Sequence, residues 1–388
     1  MTFAARLALV FAMVAAVAGC QTVGDAYDRL FGSSRPAQKP AELVAFTPTA
    51  QPRVLWQATV GSAEKSVFFP AVTGNAIFAA GAAGQVAGFQ ANTGATLGAF
   101  NAGERLSGGV GASGSLILAS TPKGEVVAFD RSGKLLWRAG VGGEVLAPPS
   151  VEGTIVVART IDGRIFGLDA NDGKRRWVYQ RSTPALSVRT YAGAAVERGA
   201  VFAGFPGGRL VALNLANGGV GWESVVAMPK GTTELERVAD VIGLPVIDGR
   251  QVCAVAFQGR VACFDAQTGT TTWARDLSSY SGMSADNRNL YVTDDRNAVL
   301  ALDKTSGASL WKQDKMSGRS VSAPAALGRF VVVGDFQGYV HFLSREDGSF
   351  AARIATDGSP IIAPPVAVDF STLIVQTRNG GVYAITLQ

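Results

Sequence analysis

The stretch Gly259–Trp273, GRVACFDAQTGTTTW, is the unit from which the chain is built. Val261, Cys263 and Trp273 are apolar at strand spacing, so Arg260 to Asp265 reads as one strand and a second runs into the tryptophan. Ala266 to Gly269 supplies the turn, with Gly269 free to take positive φ. The same pattern returns as GRIFGLDANDGKRRW from Gly163, GRLVALNLANGGVGW from Gly208 and NAVLALDKTSGASLW from Asn297. GEVVAFDRSGKLLW from Gly124 has a turn one residue shorter. Copies at Gly84 and Gly338 lack the tryptophan, and the copy at Gly380 is cut short. The starts recur about every 42 residues, the length of a four-stranded propeller blade.

Five of the six tryptophans close a repeat. The sixth, Trp56, stands in VLWQATVG, which resembles LLWRAGVG at Leu135–Gly142. It reads as the missing end of the truncated eighth repeat. The expected fold is therefore all-β: an eight-bladed β-propeller of four-stranded antiparallel blades, closed by an N-terminal strand that pairs with the C-terminal blade. Closure of this kind removes two open sheet edges.

Composition agrees. The chain has 388 residues, 47% of them hydrophobic, and 47 glycines without a collagen-like period. A net charge of +5 is small for this length and gives no reason to invoke nucleic acid. Short segments with proline, Phe69-Pro70-Ala71-Val72, Leu146-Ala147-Pro148-Pro149, Ser322-Ala323-Pro324-Ala325 and Ile362-Ala363-Pro364-Pro365, are expected to be the innermost strands. Apolar runs such as Thr154–Val157 and Phe330–Val333 follow them as buried strands.

Residues 1–19 read as a signal peptide. Arg6 supplies the positive end, and Leu7–Val17 is an apolar run too short to span a bilayer. Val17-Ala18-Gly19-Cys20 resembles a bacterial lipobox, which makes Cys20 the lipidated first residue of the mature chain. Gln21 at the next position resembles an outer-membrane address. Residues 20–51, with Pro36, Pro40 and Pro48, read as a tether, and 52–388 as the propeller.

Two repeat spacings exceed the mean, Gly163 to Gly208 and Gly208 to Gly259. Insertions in a repeat fold go to surface loops, often on the binding face. The inserted segments hold Thr183–Arg189 and Thr232–Val241.

The repeats resemble those of pyrroloquinoline-quinone dehydrogenases. With the lipobox, the length and the two insertions, the chain from Cys20 onward resembles the propeller lipoprotein family of the outer-membrane β-barrel assembly (BAM) machine. Leu186-Ser187-Val188-Arg189 is similar to that family's L-S-L-R segment, and Thr233–Val241 to its T-E-I-D-R-x-x-D-V segment. The resemblance implies a lipid-anchored protein of the outer membrane that faces the periplasm and binds the POTRA domains of BamA. Leu186, Val188, Arg189 and Asp240 would carry that contact. It also implies indirect association with the other BAM lipoproteins, and nascent outer-membrane β-barrel proteins as clients. The family often places a second acid two residues after the matched Asp, where this chain has Ile242.

The competing class is a quinoprotein dehydrogenase. It wants inserted loops around a quinone, Ca²⁺ ligands, a catalytic Asp and commonly a vicinal Cys pair. The chain has no Cys-Cys, its one histidine is His341 on a strand, and Asp294-Asp295 and Glu346-Asp347-Gly348 sit at turns, where acids are expected anyway. No cofactor, metal site or catalysis is expected. A carbohydrate-binding propeller would want exposed aromatic platforms, whereas the tryptophans all belong to the repeat.

Cys253 and Cys263 fall on consecutive strands of one hairpin. A three-residue turn at Phe257-Gln258-Gly259 sets them directly opposite, while a two-residue turn leaves them one register apart. A disulfide and two buried reduced thiols both remain open at this stage.

Overall fold

The computed structural model describes residues 39–387. The expected signal peptide, Cys20 and residues 20–38 of the tether lie outside them. Eight four-stranded sheets form, each with its strands in antiparallel sequence order. Blades one to seven are continuous: 71–101, 108–140, 150–180, 194–225, 241–276, 282–313 and 325–355. Blade eight takes three strands from the C-terminal end, Val366–Ala367, Thr372–Gln376 and Gly381–Leu387. Its outermost strand is Pro52–Thr59, with Trp56 opposite Ala384. The closure expected from the tryptophan pattern is the one observed.

The innermost strands are shorter and later than expected. Ladders start at Ala71, Ser150, Ala325 and Val366, in each case just after the last proline of the segment. Proline has no N–H to give to a ladder, so each strand begins beyond it.

The core lies between blades. Trp56 and Ala384 of blade eight pack with Ile77 and Phe89 of blade one in one buried cluster. The repeat's tryptophan works at the same level: each indole reaches its neighbouring blade. Trp56 Nε1 donates to Ala91 O at 2.7 Å, Trp137 to Ala170 O at 2.8 Å and Trp177 to Leu215 O at 2.8 Å. Trp222, Trp273 and Trp311 donate to Ala266, Lys304 and Arg345. The accepting turn carries the repeat's glycine under the indole. At Gly307, φ is +71° and a Cβ would lie 2.4 Å from Trp273 Cε3, so both the conformation and the close approach require glycine. The Gly and Trp of the motif are thus partners across a seam, in addition to marking a hairpin.

Seam seven–eight lacks this clasp. The tryptophan position of blade seven is Ala352, and blade eight has no intact third turn because two chain segments meet there. Residues 41–50, the last part of the stretch read as tether, run without regular secondary structure past the outermost strand of blade seven, from its blade-six side, where Val44 and Phe46 pack, to this seam, where Ala50 is buried. Thr49 N donates to Ala351 O at 2.8 Å, Ala50 is buried against Ala351 and Tyr383, and Phe46 stacks on Phe350 with centroids 5.5 Å apart. Beneath this strap is a buried polar network. Arg319 Nη1 donates to Ala41 O at 2.8 Å, and Arg353 Nη2 to Val44 O at 3.1 Å. Arg319 also binds Asp335 through Nε and Nη2, at 2.9 and 2.7 Å. His341 is fully buried between Asp335 Oδ2, 2.9 Å from Nε2, and Arg353, whose Nε donates to Nδ1 at 3.1 Å. An arginine N–H cannot accept, so Nδ1 is the bare nitrogen and Nε2–H donates to Asp335.

Candidate functional site

In an antiparallel meander the blade-to-blade connections and the middle turn of each blade share one face. The long connections 181–193 and 226–240 therefore project together, beside the middle turn of blade three at Thr160–Gly163. Gly207 N, from the middle turn of blade four, and Val188 N both donate to Asp240, at 3.1 Å to Oδ1 and 2.6 Å to Oδ2. One carboxylate thus ties the two inserted loops to the blade between them. Asp240 is 2% exposed, and burial raises its carboxyl above the ordinary value while the two N–H donors oppose that rise.

The other three expected site residues stand outward to different degrees. Leu186 is 43% exposed, Val188 is half-buried with its N–H fixed on Asp240, and Arg189 is exposed. The Arg189 guanidinium is held by Glu144 from the connection between blades two and three, at 2.6 and 2.8 Å. A pair this exposed is weak and exchanges easily for another carboxylate. In the second loop, Glu236 accepts from the N–H groups of Thr232 and Thr233, at 2.9 and 3.1 Å, which lowers its carboxyl. This fixes the turn that presents Leu235, 72% exposed; Met228 and Ile161 are exposed on the same face.

The structure thus brings together Leu186, Val188, Arg189 and Asp240, and adds Glu144, Arg159, Ile161, Met228 and Leu235. Two of these left a signal in the sequence. Ile161 is an apolar residue at a turn, and Arg159 is a cation that ends the apolar run TIVVAR. Elsewhere, Cys253 and Cys263 are opposed in register, with Cα atoms 4.0 Å apart and the sulfurs bonded. Among the described residues no group of three or more His, Cys, Asp or Glu side chains is arranged to hold a metal.

The family model described as "Outer membrane protein assembly factor BamB" matches residues 82–313 and 296–388. The chain belongs to the BamB family. The BamB protein of Bordetella pertussis is 43% identical over 381 residues, 98% of this chain and 96% of that protein. The crystal structure of BamB from Moraxella catarrhalis superposes with a TM-score of 0.80 at 27% identity, covering 87% of this chain and all of that one. A quinohemoprotein alcohol dehydrogenase of Pseudomonas putida superposes with a TM-score of 0.66 at 12% identity, covering 89% of this chain and 78% of that one. At that distance the likeness shows the propeller alone.

Proposed function

We propose that this chain is a non-catalytic scaffold of the outer-membrane β-barrel assembly complex, lipidated at Cys20 and held at the periplasmic side of the outer membrane. It docks on the POTRA domains of BamA through the face built by the two inserted loops, and so supports folding and insertion of barrel proteins. Other BAM lipoproteins associate through BamA. Leu186 and Arg189 make the contact, Val188 shapes it, and Asp240 acts from below as the group that positions both loops.

The observation that carries this reading is the Asp240 tie. It fixes apolar and charged loop side chains on a closed ring, so little conformational freedom is lost on binding. The names of the relatives support the assembly role. A lipid anchor would keep the body near its partner and raise the effective concentration there.

The test is co-purification of BamA with the Leu186→Ala, Arg189→Glu double mutant, with melting checked first. Binding is expected to weaken at least about tenfold. Glu144→Gln frees Arg189 without removing it and should leave binding intact. Unchanged BamA recovery by the folded double mutant would refute the assignment.

A further inference from the structure

The first docking loop, the middle turn of blade three and Asp240 line an open cavity of about 140 Å³, room for four or five waters at about 30 Å³ each. Its walls include Arg159, Ser187, Thr190 and Asp240. Arg159 ends the strand Ile155–Arg159 and is only 9% exposed. Its guanidinium carbon lies 5.1 Å from the Phe205 ring centroid, while Nε and Nη1 are sealed from solvent with no acceptor. Neither of these two atoms is bonded to Asp240, whose oxygens accept from Val188 N and Gly207 N instead. Burial pushes the guanidinium down to about 10, with the Asp240 charge opposing, so it stays a cation at neutral pH. A buried cation without a hydrogen-bonding partner is costly, and such groups in native proteins are paired.

We propose that the cavity is a carboxylate socket, filled by an acidic side chain of the docked partner against Arg159. The proposal rests on the docking reading above and names what that face recognises. A guanidinium with two unbonded N–H groups and only the charge of Asp240 nearby calls for one more acceptor, and a dianion would be repelled by Asp240. Ser187 and Thr190 bring hydroxyl donors to the same space. Nε and Nη1 of Arg159 are already dry in the free protein, so a small shift of the guanidinium that offers one of them to an entering carboxylate requires little further desolvation.

The experiment has two arms on the full-length protein. The first follows melting with sodium acetate against sodium chloride at equal ionic strength, for the unchanged protein, Arg159→Met and Arg159→Lys. Acetate should raise the Tm of the unchanged protein, partly that of Arg159→Lys, and not that of Arg159→Met. The second titrates the purified POTRA domains of BamA, and Arg159→Met should bind at least about tenfold more weakly. No acetate effect that depends on Arg159 would overturn the socket. An acetate effect with unchanged POTRA affinity in Arg159→Met would overturn the acidic side chain as occupant and leave a site for free anions. If the unchanged protein responds to acetate but fails to bind the POTRA domains, the docking reading fails and the acidic side chain with it, while the socket's chemistry stands. Should Arg159→Met unfold, the Arg159→Lys response decides: acetate stabilisation equal to the unchanged protein's, with full POTRA affinity, would mean that the guanidinium is not read.

Discussion

Seam five–six and seam seven–eight close the same ring with different chemistry. At five–six, Trp273 lies over Gly307 and donates to Lys304 O, a clasp made from residues that recur in most blades. At seven–eight the equivalent position is Ala352, and Ala50 of the N-terminal segment is buried there against Ala351 and Tyr383, while Phe46 and an Arg–His–Asp–Arg network hold the same segment on the opposite face of blade seven, toward blade six. A repeated clasp needs an intact turn in the next blade to receive it. Where the ring joins its two ends no such turn exists, so the seam is built from residues outside the repeat.

The largest break in this comparison should come from the clasp. Trp273→Ala removes a large buried side chain and its hydrogen bond, and is expected to cost about 3–5 kcal/mol in denaturant unfolding. A loss below about 1 kcal/mol would mean that the seam is held by its strand faces and not by the indole.

The strap should give a smaller and more local effect. Phe46→Ala is expected to cost about 1–3 kcal/mol, because the ring is only half-buried. Protease cleavage within residues 41–50 should accelerate while amide exchange in blades one to five stays unchanged. Uniformly faster exchange around the ring would show instead that the strap is part of one cooperative closure.

The smallest effect should be the response to pH. Burial lowers His341 below its ordinary value although Asp335 opposes this. The unfolded chain therefore takes up a proton near pH 6.5 that the folded chain refuses, so stability falls as pH drops below about 6.5. Asp335 is lowered too: burial raises it, but the His341 and Arg319 hydrogen bonds outweigh that. Its contribution is present above the unfolded value near 3.9 and is lost as pH falls toward its folded value. His341 is the only histidine in the chain, so His341→Gln, which can still donate to Asp335 and accept from Arg353, should flatten the stability curve between pH 7.5 and 5. An unchanged slope in that window would assign it to some other group.

What could be read from the sequence follows the repeat. A period near 42 residues and a stray tryptophan gave the blade number and the closing strand, because every blade solves the same packing problem. The partnership of Trp273 with Gly307 was hidden, since both read equally well as parts of their own hairpins. Residues 41–50 read as tether because an irregular, proline-flanked segment has no period to betray what it packs against. Asp240 was legible only through the family resemblance, as a contact residue, and nothing in its loop marked it as buried. Only coordinates show that two backbone N–H groups enclose it. Arg159 was visible as a cation ending an apolar run, and the cavity it lines was not.

The strap also decides where a mechanical load would enter the ring. A pull on the chain from its N-terminal side reaches Ala41 first, where Arg319 and Ser317 hold it, then Val44 on Arg353, and only afterwards the Trp56 strand. The hydrogen bonds of the strap would peel one after another before any force reached the ladder between Pro52–Thr59 and Gly381–Leu387. The ring's one non-covalent joint is thereby placed behind a strain relief, so a tug on the N-terminal segment would be absorbed along blade seven before it could unzip the propeller.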